Sequence, residues 1–317
     1  MTPQDTIVLI SDPLPAATNQ IIEDAGYQVI EGADQVPAGL GSISGWILRS
    51  GTQITAELLD QAPGLKCICR AGAGVDNIDC DAAADRGVLV MNTPTANSNA
   101  AAEHAIGLMF SLARNIPQGH GKMASGGWDR KELVGVELEG KTLVVIGLGK
   151  IGQRVCRKGN ALGMNVIGCD PFVNEAEASS FGAELSTQES ALGRADFISL
   201  HPPLNDSTRG MVNDDFISNC KDAVRIVNVS RGPVIDQDSL IRGLDSGRVA
   251  GAALDVFDQE PPPEDDPFRN HPGIICTPHL GASTVEAQDN VGTQSAHQVV
   301  AFLSAGTIEN AVNAPRL

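Results

Sequence analysis

Apolar residues in this chain fall into short unbroken runs, separated by stretches in which they recur every three or four positions. The runs TIVLI (6–10), GWILR (45–49), LKCIC (65–69) and VLVMN (88–92) lack polar alternation, which predicts strands buried on both faces. The stretches 16–25, 55–61 and 79–86 have helical spacing and lie between the runs. Strand and helix in alternation predict a parallel sheet covered on both sides. A long helix is expected over 98–114, SNAAAEHAIGLMFSLAR, which has no internal proline. Residues 116–140 are polar and irregular and read as a connection.

A second alternating series starts at KTLVVIGLGKIG. It predicts strands at 142–146, 165–169, 196–200, 224–229, 249–254 and 274–276, with helices at 150–162, 187–193, 213–219 and 236–245. The last helix, 283–303, has no strand after it in its own series, so it is expected to cross back to the first. The fold class is α/β in two domains: 1–97 with 284–317, discontinuous, for substrate, and 98–283 for a dinucleotide.

The dinucleotide is read from VVIGLGKIGQRV. Gly147, Gly149 and Gly152 form GxGxxG directly after an apolar strand and at the start of an amphipathic helix. Gly147 permits a tight turn, Gly149 lets the backbone approach a pyrophosphate, and Gly152 lets helix and strand pack closely. The helix start supplies N–H donors. Asp170 ends the next strand, where a carboxylate would bind both ribose hydroxyls and repel a 2′-phosphate. NAD is therefore expected over NADP.

Hydride transfer from a hydroxy acid needs a cation for the carboxylate, an acid–base group, and a partner for that group. Arg231 in IVNVSRGPVID lies just beyond a strand, where ligands of doubly wound sheets bind, and a guanidinium grips a carboxylate with two parallel hydrogen bonds. His279 in IICTPHLGAS has the same placement and the side chain best suited to proton exchange near neutrality. Glu260, ahead of three prolines, would orient that imidazole and favour its cationic form. The acids at 264–266 read as solvated. The other histidines read as structural, although His201, after a strand, is expected to line the cofactor cleft.

Composition narrows the partners. The formal charge is −17, from 22 basic and 39 acidic residues, so neither nucleic acid nor an anionic membrane is expected. An anionic substrate must be drawn by a local basic cluster. The seven cysteines are odd in number and scattered, with neither CxxC nor zinc spacing, so no disulfide framework and no metal are expected. The N-terminus lacks the basic and apolar segments of a secretory signal, and no apolar stretch is long enough to span a membrane, so the expected compartment is cytoplasmic.

Taken in order, GLGKIG with Asp170, NVSRGPVID, GAALDVFDQEPPP and TPHLGAS resemble the D-2-hydroxyacid dehydrogenase family. RAGAGVDNID, MNTPTANSNAAAEHAIGLMFSLAR and GWDRKELVGVELEGKTL are similar to its phosphoglycerate dehydrogenase branch, in a short form without the C-terminal regulatory domain that longer relatives carry. The resemblance implies a Rossmann doubly wound parallel sheet domain inserted in a flavodoxin-like α/β substrate domain, and a homodimer or dimer of dimers. It implies the catalytic trio Arg231, Glu260 and His279. The cofactor set is then Gly147, Gly149, Lys150, Ile151, Gly152, Asp170, His201, Pro202, Ser230, Asp255 and Gly281, with Asp255 toward the nicotinamide. The substrate set is Arg49, Arg70, Ala71, Gly72, Asn97, Arg231 and, from a partner subunit, Arg130. The implied activity is oxidation of 3-phosphoglycerate to 3-phosphooxypyruvate with NAD, as in serine biosynthesis. Gln53 stands where relatives often carry Lys, which leaves other anionic 2-hydroxy acids (glycerate with hydroxypyruvate, sulfolactate) open. A binding protein of the family's NAD-sensing corepressor kind is the alternative of another class.

Overall fold

In the computed structural model, which describes residues 6–32 and 39–315, the chain divides into two units, Met1–Asn97 with Ala282–Leu317 and Ser98–Gly281. Residues 1–5, part of the N-terminal segment read above, lie outside the described residues.

The first unit runs β1 (Ile7–Ile10), α1 (Ala16–Asp24), β2 (Gln28–Glu31), β3 (Ile43–Leu48), α2 (Ala56–Asp60), β4 (Cys67–Arg70), α3 (Cys80–Asp85) and β5 (Leu89–Asn92). Its strands pair in parallel in the order β2-β1-β3-β4-β5, that of a flavodoxin-like sheet. All six residues of β3, at the middle of the sheet, are buried. Among them Trp46 places its one polar atom well: indole N–H donates to Ser11 Oγ at 2.9 Å. Thr55 and Asp79 cap α2 and α3 by accepting from the N–H of Leu58 and Ala82.

The second unit runs α4 (Ser98–Arg114), α5 (Ile116–Ala124), β6 (Thr142–Ile146), α6 (Lys150–Ala161), β7 (Asn165–Cys169), α7 (Glu175–Ser180), β8 (Glu184–Leu185) and α8 (Gln188–Leu192). It continues with β9 (Phe197–Leu200), α9 (Asp214–Asn219), β10 (Val224–Asn228), α10 (Gln237–Asp245), β11 (Val249–Leu254), α11 (Pro267–Asn270) and β12 (Ile274–Cys276). The parallel order is β12-β11-β10-β9-β6-β7-β8, so the winding reverses between β6 and β9. That reversal is where doubly wound sheets bind ligands. The chain then returns to the first unit as α12 (Val285–Ala305), which packs on α1, β3 and β4. Each sheet carries an apolar cluster on either face, which is why its strands read as unbroken apolar runs.

Five elements depart from the pattern read in the sequence. Residues 116–124 are helical, not part of an irregular connection. Pro117 stands in the first turn of α5 and Asn115 takes a left-handed turn before it. No residue of α5 is buried, so no apolar stripe announced it. Strands β2 and β8 lie at the edges of their sheets and never form an unbroken apolar run. Helix α7 has only six residues, held by a capping box of Asn174 and Glu177. Helix α11 has four, and Asp266 caps it by accepting from Phe268 N–H at 2.8 Å. Asp266 is thus a cap and not merely a solvated acid. The seven cysteines are free. No helix among the described residues is long and apolar enough to cross a membrane.

Candidate active site

The glycine turn lies between β6 and α6, at the reversal point of the second sheet. Gly147 has φ of 89°, and a Cβ there would sit 2.6–2.7 Å from the backbone of His201 and Pro202 N. Only glycine fits that approach. A Cβ on Gly152 would lie 2.0 Å from Gly147 O, so this glycine sets how closely α6 meets the turn. At Gly149 an added Cβ meets nothing within 4 Å, and the space over the turn is open. No side chain caps α6 at Gly149, which leaves its first turn, opened by Lys150 and Ile151, without a side-chain acceptor.

Two residues flank this turn. Asp170 accepts from Leu148 N–H at 2.8 Å and from Phe172 N–H at 2.9 Å, so its carboxylate is fixed between the turn and the end of β7. His201 follows β9, and burial pushes its imidazole down to about 3, so it is neutral. Its Nε2 lies 2.8 Å from Ser199 Oγ, and its Nδ1 is buried with no hydrogen-bond partner among the described residues. Pro202 beside it is buried. An uncapped helix start, a fixed acid, an open glycine turn and an unspent buried nitrogen all fit a dinucleotide.

Arg231 and Glu260 stand on two loops pressed together. A Cβ on Gly232 would lie 2.0 Å from the Phe257 carbonyl carbon, so the Arg231 turn rests on the backbone leading to Glu260. Asn228 braces that turn: its side-chain amide donates to Arg231 O at 2.9 Å, and its Oδ1 accepts from Ser230 N–H and Oγ–H. Arg231 Nη1 donates to Ser230 O at 2.6 Å. Ser230 is buried, with its hydroxyl committed to Asn228.

Glu260 meets His279 directly. Its Oε2 lies 2.6 Å from His279 Nδ1, and its Oε1 accepts from Phe257 N–H at 3.1 Å. The Glu260–Pro261 peptide is cis. Burial pushes the Glu260 carboxyl up, but the bond from His279, its charge and the Phe257 N–H outweigh that and hold it below the ordinary glutamate range. An ionised carboxylate only accepts, so Nδ1 carries the shared proton, and in the neutral ring Nε2 is the nitrogen left with a lone pair.

Asp255 is 1% exposed and binds within the protein. Its Oδ1 accepts from Leu280 N–H at 2.7 Å and its Oδ2 from Gly281 N–H at 2.8 Å. It also meets His104 and Thr277, two residues that sequence reasoning missed as part of the site. His104 is 151 positions from Asp255, and no spacing rule joins them.

In the first unit, Arg49 follows β3 and Arg70 ends β4, with Leu48 and Arg70 in register across the sheet. The Arg49 peptide is clamped: its N–H donates to Asp12 Oδ2 at 2.6 Å, and its carbonyl accepts from Asn77 Nδ2 at 2.7 Å. The same Asn77 amide donates to Thr52 O at 2.6 Å. The Arg70 guanidinium lies over Gly72, where a Cβ would come within 1.8 Å of Nη1. Ala71 is buried and donates its N–H to Leu48 O. Asn97 Oδ1 is buried with no hydrogen-bond partner among the described residues. Arg130 is exposed on the turn after α5 in the second unit, and no hydrogen bond among the described residues joins its side chain to another candidate.

An acid–imidazole pair and an arginine turn lie on the loops that follow the strands of the second sheet. Residues 106–281 match the family model described as D-isomer specific 2-hydroxyacid dehydrogenase, NAD binding domain, and the chain belongs to that family. Among its relatives, D-3-phosphoglycerate dehydrogenase of Rattus norvegicus is 44% identical over 314 residues, 98% of this chain and 59% of the relative. D-3-phosphoglycerate dehydrogenase 2, chloroplastic, of Arabidopsis thaliana is 48% identical over 270 residues, 85% of this chain and 43% of the relative. The chain therefore spans 59% or less of the length of these curated relatives. Among solved structures it is similar to D-lactate dehydrogenase from Aquifex aeolicus complexed with NAD and lactic acid. That match has a TM-score of 0.85 and 27% identity, and covers 98% of this chain and 100% of the other.

Proposed function

We propose that the chain is an NAD-dependent dehydrogenase of (R)-2-hydroxy acids, with 3-phosphoglycerate, giving 3-phosphooxypyruvate, as its substrate. The observation that carries this reading is the His279 Nδ1–Glu260 Oε2 pair at 2.6 Å. With Nδ1 protonated and held, His279 Nε2 takes the proton of the substrate hydroxyl. Arg231 holds the carboxylate with two parallel hydrogen bonds and polarises the forming carbonyl. The turn from Gly147 to Gly152 holds the pyrophosphate and Asp170 the ribose. When bound, the nicotinamide supplies the acceptor for the hydride that leaves C2.

Arg49, Arg70 and Asn97 serve substrate binding, joined by Arg130 of a second copy. The positive charge of the three arginines is what an anionic tail requires of a protein carrying −17 overall. A homodimer through the second unit is supported by exposed apolar side chains on and after α5: Ile116, Met123, Trp128 and Val134. The name of the relatives, D-3-phosphoglycerate dehydrogenase, favours the phosphorylated acid over glycerate or sulfolactate. The proposed compartment is the cytoplasm.

The test is initial-rate NADH formation with 3-phosphoglycerate beside D-glycerate, D-lactate and sulfolactate at matched concentration. The expected result is the highest kcat/KM for 3-phosphoglycerate. Turnover of another acid with 3-phosphoglycerate inert overturns the substrate and directs suspicion to Gln53. No turnover of any acid, with stoichiometric protein partners recovered, overturns the enzyme.

A further inference from the structure

The pair of Glu260 and His279 fixes an imidazole ring, but it does not fix the peptide that carries the ring. His279 has φ of 54°, a left-handed conformation that costs a residue with a side chain about 1–2 kcal/mol. Something must hold the backbone there. Asp255 holds it on both sides. Its carbonyl accepts from His279 N–H at 2.9 Å, and its carboxylate takes the next two peptides, Leu280 N–H on Oδ1 and Gly281 N–H on Oδ2.

The Asp255 carboxylate is itself steered from behind. His104, on the long helix α4, places Nε2 at 3.0 Å from Asp255 Oδ1 and at 3.0 Å from Thr277 Oγ1. The Thr277 hydroxyl donates to the same Asp255 oxygen at 2.5 Å. Burial pushes the Asp255 carboxyl up, but the bonds from His104, Thr277 and Leu280 N–H outweigh it, and the group is held below its ordinary range. An ionised Asp255 only accepts. Thr277 gives its proton to Asp255 and turns a lone pair to His104. Nε2 is therefore the protonated nitrogen of His104, shared between the two oxygens. The three side chains close a ring, and its outer edge is the backbone of the His279 loop.

We propose that His104 is a positioning residue for the reaction: its Nε2–H, with Thr277, sets the angle of the Asp255 carboxylate, and through the Leu280 and Gly281 peptides it sets where His279 stands. A part-buried charge-assisted bond at this place controls geometry at the reacting nitrogen from behind the loop that carries it. The inference rests on the reading of His279 as the proton acceptor.

Three variants and two readouts separate the inference from that reading. His104→Leu removes the donor, His104→Gln puts an amide N–H where Nε2 stood, and His279→Ala removes the proposed base. The expected kcat loss in His104→Leu is about 10- to 100-fold, the worth of one bond to a charged group, with KM for NAD within about threefold of wild type. His104→Gln is expected to recover most of that loss. Hydrogen–deuterium exchange is expected to quicken at the Leu280 and Gly281 amides in His104→Leu and not in His104→Gln. Wild-type kcat and exchange in His104→Leu, with His279→Ala inactive, overturn the inference and leave the reading intact. A His104→Gln as impaired as His104→Leu also overturns it, because the N–H then is not what matters. A fully active His279→Ala overturns the reading itself. Should His104→Leu fail to fold, Thr277→Val decides: unchanged kcat and amide exchange overturn the inference, while slowed turnover with faster exchange supports it.

Discussion

Replacing Glu260 by glutamine removes one charge from the candidate site while keeping the shape of the side chain. The carboxylate now accepts from two donors, His279 Nδ1 at 2.6 Å and Phe257 N–H at 3.1 Å. An amide has one acceptor oxygen. If Phe257 keeps it, the NH2 group turns to His279, Nδ1 becomes the acceptor, and the proton moves to Nε2, the atom assigned to receive the substrate's proton. A hydrogen bond to a charged group contributes about 1.5–3 kcal/mol. The two side chains are 42% and 36% exposed, so solvent screening places the pair at the low end, about 1.5–2 kcal/mol. At about 1.4 kcal/mol per tenfold, kcat/KM for the hydroxy acid should fall about 10- to 30-fold, with KM for NAD little changed. The stability change has a defined sign. Glu260 is held below the ordinary value of 4.5, so its contribution is complete above that value and is lost as pH falls through the folded value. Wild type should therefore melt above Glu260→Gln near neutrality, and the gap should close on acidification. The assay is initial-rate NADH formation from about pH 5 to 8, with thermal melts carried further into acid. Equal kcat/KM throughout that window would refute the role given to the pair. A melting gap that persists unchanged into acid would show that the charge is not its source.

Two further outcomes test the second unit. Gly152→Ala places a Cβ 2.0 Å from Gly147 O, a backbone atom that cannot rotate away, so α6 must move off the turn. The expected loss is about 1–3 kcal/mol, with a lower Tm and weakened NADH binding by fluorescence titration, and an unchanged melt refutes the packing argument. Asp170→Asn keeps an acceptor for Leu148 N–H but removes the charge. KM for NAD should rise about tenfold and NADP should become usable, while unchanged kinetics with both cofactors would remove Asp170 from the ribose site.

Where an element was legible in the sequence, one energetic term dominated it. Strands β6, β7 and β11 match the expected bounds because each is an interior run whose burial alone announces it, and β12, an edge strand with one of its three residues buried, matches as well. Helix α4 matches end to end for the same reason, with its apolar face in the core. The elements that escaped draw on terms with no periodic trace. Helix α5 buries nothing and is set by a proline and a left-handed asparagine, while β8 is a two-residue edge strand. The capping box of α7, N-x-x-E, is a local signal with no period behind it, because the helix has only six residues. Glu260 was legible for a chemical reason: a histidine after a strand needs a carboxylate, and the nearby loop offered one. His104 was not, because it lies 151 positions from Asp255 and only the folded sheet brings the helix and the strand end together.

The stretch from Asp255 to Glu260 therefore divides one task between two carboxylates. Asp255 is 1% exposed and every donor it takes is internal, so its bonds are traded for no water and hold a peptide in place. Glu260 is 36% exposed and takes the His279 Nδ1 proton, the one on which the proposed reaction depends. Exchanging the two positions would fail on both counts. A carboxylate buried as Asp255 is could orient an imidazole but would bar its ligand from reaching it. One exposed as Glu260 is could not hold a left-handed peptide against the pull of solvent. Burial sets the two roles, and the three prolines after Glu260 restrict the backbone of its loop.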